Sequence, residues 1–195
     1  VVKLSKIQKN DINMDQVPVN EGISEESQEI MSGYRTIALF GLDNRSTGKL
    51  STGRSDVIML ASINDDTHEV KLLSVYRDSY LDTGGGVFEK CNAAYAKGGP
   101  EQAIYMLNTN LDLAISEYVT VDFGALVECI DLLGGIEMTI TDDEAILMLG
   151  YIEEINKITG GRSECPPSGG TYTLDGVQAT AYARIRYGGG DDYRR

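Results

Sequence analysis

Arginine is concentrated in one short stretch of this sequence. Arg184, Arg186, Arg194 and Arg195 fall close together in a protein whose formal net charge is −13 and whose isoelectric point is about 4.4. A local excess of positive charge in an acidic chain is favourable when a bound anion or neighbouring carboxylates answer it. Guanidinium suits phosphate, because its fixed fork of N–H donors matches two oxygens at once, which an ammonium does not. Arg184 and Arg186 are separated by one residue, so they diverge on a helix but share a face in an extended segment. Asp191 and Asp192 are near in sequence and offer an intramolecular alternative to a bound anion.

Carboxylates form the second set. Asp43 directly follows the apolar run 36–42, and Asp56 opens the next apolar run just after Arg54. Carboxylates at strand ends are held firmly yet stay open to solvent, and two of them repel unless a cation or an arginine intervenes. Oxygen ligands of this kind suit Mg2+ or Mn2+, which keep waters and also take phosphate oxygens. Arg77–Asp78 follows the run 70–75 and combines the two chemistries, a phosphate fork beside a metal ligand. Each feature also has a structural reading: a turn former for Asp43, a strand-edge charge for Asp56, a salt bridge for Arg77 with Asp78.

Other chemistries find little support. His68 is the sole histidine and falls in a turn sequence, which argues against Ser-His-Asp hydrolysis. The glycine pairs and triplet match neither dinucleotide-binding nor P-loop spacing. The net charge argues against a nucleic-acid partner. Cys91, Cys129 and Cys165 form no metal-ligand set, and their odd number allows one disulfide without requiring it. Cys129, inside an apolar run, reads as a small buried hydrophobe. No apolar run approaches the length of a membrane span.

The elements that must position these residues are read from periodicity. The 195 residues, 42% hydrophobic and 24% charged, are enough for a stable core. Residues 36–42, 56–63 and 69–75 read as strands, the last two joined through Asn64–Asp66 as an antiparallel hairpin. Gly84–Gly86 reads as a loop. A short helix around Asn92–Lys97 stops at Gly98-Gly99, and Pro100 opens another. Residues 118–122 and 136–140 read as strands, with an Asp122-capped helix between them that presents Phe123, Leu126, Val127, Ile130 and Leu133. Thr141/Glu144 and Asp175/Gln178 have capping-box spacing, each opening a helix, and residues 171–174 form a short strand before the second. The first of these helices should bury Ala145, Ile146, Leu149, Ile152 and Ile155. Interleaved strands and helices predict an α/β fold, an α/β/α sandwich on a central mixed sheet with antiparallel pairs. Residues 1–33 read as a polar extension or linker and 34–195 as the domain.

The order of the motifs resembles the LytR-CpsA-Psr family of cell-envelope enzymes. Gly41-Leu42-Asp43, Arg54-Ser55-Asp56 and Ser74-Val75-Tyr76-Arg77-Asp78 come first, the last with Tyr76 where the family has proline. Asn92-Ala93-Ala94-Tyr95, Gly98-Gly99 and Leu133-Gly134-Gly135-Ile136 follow. Leu174-Asp175-Gly176-Val177-Gln178-Ala179, Tyr182-Ala183-Arg184-Ile185-Arg186, Gly190-Asp191 and Arg194-Arg195 complete the series. Each piece is weak alone, and the ordered set is specific.

The resemblance implies a metal-dependent phosphotransferase. It would move a glycopolymer, of wall teichoic acid or capsular polysaccharide type, from a polyprenyl-pyrophosphate carrier to peptidoglycan. It implies that Asp43 and Asp56 hold Mg2+ or shape its shell, with Mn2+ as an alternative, and that Asp78 supports the metal or orients an arginine. Arg54, Arg77, Arg184, Arg186, Arg194 and Arg195 would grip the pyrophosphate, and the prenyl chain would enter a hydrophobic tunnel between sheet and helices. Arg77, Asp78, Arg184 and Arg186 are the expected catalytic set. The family pattern further implies a catalytic domain on the extracellular face of a bacterial membrane, anchored by one helix preceding residue 1. It continues past Arg195 with a glutamine and a closing helix, so a C-terminally truncated domain is expected. Two other activities are compatible with the same residues: a polyprenyl-pyrophosphate pyrophosphatase, and a non-catalytic polyprenyl-phosphate- or glycan-binding regulator of envelope assembly.

Overall fold

Alternation of apolar side chains lays down the central sheet. The computed structural model describes residues 23–44, 50–51 and 53–186. Within them β1 (Tyr34–Leu42), β2 (Ser55–Asn64) and β3 (Val70–Ser74) follow one another. β2 and β3 pair antiparallel with Leu60 opposite Leu73 and Ser62 opposite Lys71, the expected hairpin. Asn64 shapes its turn: Oδ1 accepts from the backbone N–H of Asp66 at 3.0 Å and of Thr67 at 2.8 Å. β6 (Glu117–Val121) completes a central mixed sheet of order β3-β2-β1-β6. The expected α/β class is the one observed.

The chain divides into two compact units, residues 1–41 with 51–120 and residues 42–50 with 121–195. In the first, α2 (Asn92–Leu111) buries Ala94, Tyr95, Ala103, Ile104, Met106 and Leu107. Its two halves meet at Gly98-Gly99, where Gly99 takes φ +67, and Pro100 restarts the helix because it has no N–H to satisfy there. The Tyr95 ring meets Phe40 of β1 edge-on, with centroids 5.2 Å apart. Burial pushes the Tyr95 phenol up to about 12, and its hydroxyl bonds Thr120 Oγ1 at 3.0 Å.

Three elements of this unit escape periodicity. β4 (Tyr80–Asp82) and β5 (Phe88–Lys90) form a small antiparallel hairpin around the glycine loop. Strands of three residues are too short to display alternation. Within the stretch expected to be a polar extension, α1 (Glu25–Ser32) is capped by Ser24, whose Oγ accepts from Ser27 N–H at 3.1 Å.

In the second unit, α3 (Phe123–Leu132), α4 (Asp142–Thr159) and α5 (Gly176–Ala183) pack with the antiparallel pair β7 (Ile136–Ile140) and β8 (Gly170–Leu174). Asp122 caps α3, and both capping boxes are formed. The buried stripe of α4 is Ala145, Met148, Ile152 and Ile155. Ile146 and Leu149, expected inside, are exposed, as are Leu126 within α3 and Leu133 at its end. Met148 fills the stripe position between Ala145 and Ile152, three residues from one and four from the other. Cys129 is exposed rather than buried, and all three cysteines are free thiols.

Candidate functional site

In the first unit the sequence motifs converge on Asp56. Strand alternation turns Ser55 inward, where it is fully buried, and leaves Arg54 exposed and Asp56 half-buried at the mouth of β2. Arg77 Nη1 donates to Asp56 Oδ2 at 2.6 Å, and Asn92 Nδ2 donates to Asp56 Oδ1 at 3.3 Å. Arg77 Nε lies 3.6 Å from Asp78 Oδ2, while Lys90 Nζ reaches Asp78 Oδ1 at 2.5 Å. The Lys90 ammonium holds the Asp78 carboxyl below its ordinary value, and Arg77 adds to the effect. The result is a chain of alternating charges, Asp56–Arg77–Asp78–Lys90.

The backbone around Arg77 is pinned from both sides. Val75 N–H bonds Ile58 O at 2.9 Å, and Asn92 N–H bonds Arg77 O at 3.2 Å. Cys91 N–H bonds Ser79 O at 2.8 Å and its Sγ reaches Tyr76 O at 3.1 Å. The start of α2 therefore supplies the stiffness that proline would give before Arg77. Asn92, given no role from sequence, is both a backbone anchor and a ligand of Asp56.

In the second unit Arg184 is the organised arginine. It closes α5 with φ −93 and ψ −5, so it is helical rather than extended and does not share a strand face with Arg186. Its guanidinium carbon lies 4.8 Å from the Phe123 ring centre and 5.3 Å from that of Tyr151. Nη1 donates to Glu154 Oε2 at 3.0 Å. Arg186 is exposed, beyond the buried Ile185. Asp43 is exposed just past β1. Arg194 and Arg195 lie outside the described residues. Phe123 is read from sequence only as part of the apolar face of its helix, and Tyr151 and Glu154 are not singled out; the signal available was Tyr151 and Glu154 at i and i+3 on one face of α4.

A carboxylate such as that of Asp56 is chemically suited to a hard divalent ion. Among the described residues, no three acidic, histidine or cysteine side chains gather as a ready ligand set. Asp56 already accepts one bond on each oxygen, which leaves about half of a carboxylate's roughly four acceptor positions. A magnesium ion at Asp56 would thus draw much of its shell from water and substrate. The first unit also holds an open cleft of about 490 Å³ lined by Thr83, Gly84, Lys97, Gln102 and Tyr105 among others. Its lining mixes polar and apolar surface, so it does not match the apolar tunnel expected for a prenyl chain.

Comparison with known proteins adds a further line. The model described as the LytR_cpsA_psr family matches residues 2–195. The polyisoprenyl-teichoic acid–peptidoglycan teichoic acid transferase TagU of Enterococcus faecalis is 33% identical over 153 residues, 78% of this chain and 45% of that protein. Biofilm regulatory protein A of Streptococcus mutans is 33% identical over 170 residues, 82% of this chain and 40% of that protein. Among solved structures, TagT (YwtF) of Bacillus subtilis with bound octaprenyl pyrophosphate lipid superimposes with a TM-score of 0.58 at 28% identity. That match covers 79% of this chain and 57% of TagT. The chain thus spans less than two thirds of the length of these relatives.

Proposed function

Because the chain belongs to the LytR-CpsA-Psr family, we propose that it works as a phosphotransferase that moves a teichoic-acid- or capsule-type glycopolymer from a polyprenyl-pyrophosphate carrier to peptidoglycan. TagT, at 28% identity, binds octaprenyl pyrophosphate, and the relatives named as transferases act on teichoic acid and peptidoglycan. The observation that carries the proposal is Arg77, half-exposed in the Ser74–Asp78 signature, with its guanidinium fixed on Asp56 and flanked by Asp78.

Charge accumulates on nonbridging and leaving oxygens during phosphoryl transfer, and fixed donors stabilise it without reorganising. Arg77, with Arg54, and Arg184, with Arg186, are assigned to those oxygens, and Arg194 and Arg195 to further headgroup contacts. An acceptor sugar hydroxyl attacks the glycan-side phosphorus, the bond to the carrier phosphate breaks, polyprenyl phosphate leaves, and the hydroxyl proton is released to solvent. Mg2+, for which Asp43, Asp56 and Asp78 are the proposed ligands, would supply Lewis-acid stabilisation of the same charge. A prenyl tail in an apolar tunnel would hold the reacting end in place. The same reading places the protein on the outer face of the cell membrane, reached through an N-terminal anchor.

The test is incubation with Mg2+, a polyprenyl-pyrophosphate-linked teichoic acid and peptidoglycan oligomers. The expected product is a phosphodiester-linked conjugate that disappears in the Arg77→Ala variant. Release of polyprenyl phosphate without peptidoglycan, and no conjugate with it, would instead assign a pyrophosphatase. Tight lipid binding with unchanged substrate would assign a regulator.

A further inference from the structure

Arg184 is held in a way that an ordinary surface arginine is not. Three helices contribute: Phe123 opens α3, Tyr151 and Glu154 stand on one face of α4, and Arg184 closes α5. Both ring centres lie within the ~6 Å over which a cation is attracted to an aromatic face, at 4.8 and 5.3 Å. Glu154 adds a charge-assisted bond of 3.0 Å, and only 20% of the Arg184 side chain remains accessible. Phe123 and Tyr151 themselves pack on the core of Val127, Met148, Ile152 and Ala181, so the holder is rigid.

Guanidinium has about five N–H donors, and the bond to Glu154 engages one nitrogen of its three. Among the described residues no other acceptor is bonded to Arg184. The arrangement fixes the plane of the fork while keeping donors for another anion. Flexible arginine loses rotamer freedom when it binds an anion, and a pre-fixed fork has less to lose.

The geometry points to Glu154, with Phe123 and Tyr151, as the positioning set that presents the Arg184 fork to a diphosphate. None of the three touches the ligand in this role; they act through Arg184. The inference rests on the assignment of Arg184 to the pyrophosphate made above.

The test is calorimetric binding of geranylgeranyl pyrophosphate by the whole chain, alongside NMR of the Arg184 Nε–Hε pair, assigned by its loss in Arg184→Lys. In the unaltered protein that signal should be ring-current-shifted by the two aromatic faces before any ligand is added. Arg184→Ala should weaken binding at least about tenfold, as expected for loss of a charge-assisted contact. Glu154→Ala and Phe123→Leu should move the Nε–Hε signal to an unshifted position and weaken binding about three- to tenfold. Glu154→Asp should recover most of both, and it serves as the folded control if the alanine variant is unstable. Unchanged binding in Arg184→Ala would remove the assignment of Arg184 itself. Weakened binding in Arg184→Ala, with the affinity and the signal of Glu154→Ala and Phe123→Leu unchanged, would overturn the positioning role alone.

Discussion

Arg77 and Asp56 are joined at 2.6 Å across the mouth of the β2–β3 hairpin, 21 residues apart in sequence. The bond uses one nitrogen of the guanidinium, and Asp78 flanks the Nε side at 3.6 Å. Asp56 therefore orients the fork rather than neutralising an idle charge, and Asn92 holds Asp56 in turn. A carboxylate first read as a metal ligand is thus also the brace of the signature arginine.

Replacement of Arg77 should separate stability from binding. The pair is partly solvent-exposed, with side-chain accessibilities of 33% and 25%, so Arg77→Met should cost about 1 kcal/mol in urea unfolding, between an exposed and a buried ion pair. Arg77→Lys keeps the charge and should unfold near the native midpoint. It loses the fork, and its affinity for polyprenyl pyrophosphate should still fall about tenfold or more. Equal affinity in the lysine variant would show that Arg77 acts as a point charge only.

Asp78 carries a pH signature. Its carboxyl is held below the ordinary value of 3.8, chiefly by the hydrogen bond from Lys90. A depressed carboxylate contributes its contact above the unfolded-state value, and the contribution is lost as pH falls through the lower folded value. The Lys90 contact is therefore intact at neutral pH and released only below the usual carboxylate range. In an NMR titration, Lys90→Met should raise the Asp78 midpoint toward 3.8; no movement would mean that Lys90 does not set it.

Elements with a strong local signature were legible before folding. The capping boxes at Thr141/Glu144 and Asp175/Gln178, the break at Gly98-Gly99 and the β2–β3 hairpin all follow from backbone chemistry of neighbouring residues. Motif order pointed to Asp56, Arg77, Asp78 and Arg184, and the structure joins the first three in one charge chain. Glu154, Phe123 and Tyr151 were not legible, because their partner is Arg184, 30 or more residues away, and nothing local marks such a pairing. Ile146 and Leu149 misled for a related reason. They have the right type for a buried face, but which stripe of α4 faces α5 is decided by tertiary packing, which selects Met148.

The three thiols should react in a fixed order. Cys129 is exposed, Cys165 partly covered, and Cys91 fully buried with its thiol pushed up by that burial. Thiolate is the reactive form, so access and ionisation act in the same direction. With Ellman's reagent at neutral pH, Cys129 should be modified first, Cys165 more slowly, and Cys91 only on unfolding. A raised thiol value also means that Cys91 favours the folded state below its unfolded value near 9.0 and that this contribution is lost as pH rises further. Rapid modification of Cys91 in the Cys129→Ser variant would show that the start of α2 opens.

Two glycines should respond to alanine with opposite signs. Gly176 opens α5 against the backbone of α3: an added Cβ would meet the Val127 carbonyl oxygen and would lie 2.7 Å from Val127 Cα. Its N–H is also bonded to Asp131 Oδ1 at 2.7 Å, so the helix cannot back away without losing that contact. Gly176→Ala should therefore cost about 3 kcal/mol, the upper end for overpacking, because the obstacle is backbone rather than a movable side chain. Gly150 lies within α4, exposed, with nothing within 4 Å of an added Cβ. There alanine removes only excess unfolded-state freedom, and Gly150→Ala should stabilise by about 0.5–1 kcal/mol. Urea midpoints of the two variants measure both effects on one scale. A mild cost at Gly176 would show that α3 and α5 sit farther apart than the close approach of Gly176 to Val127 implies.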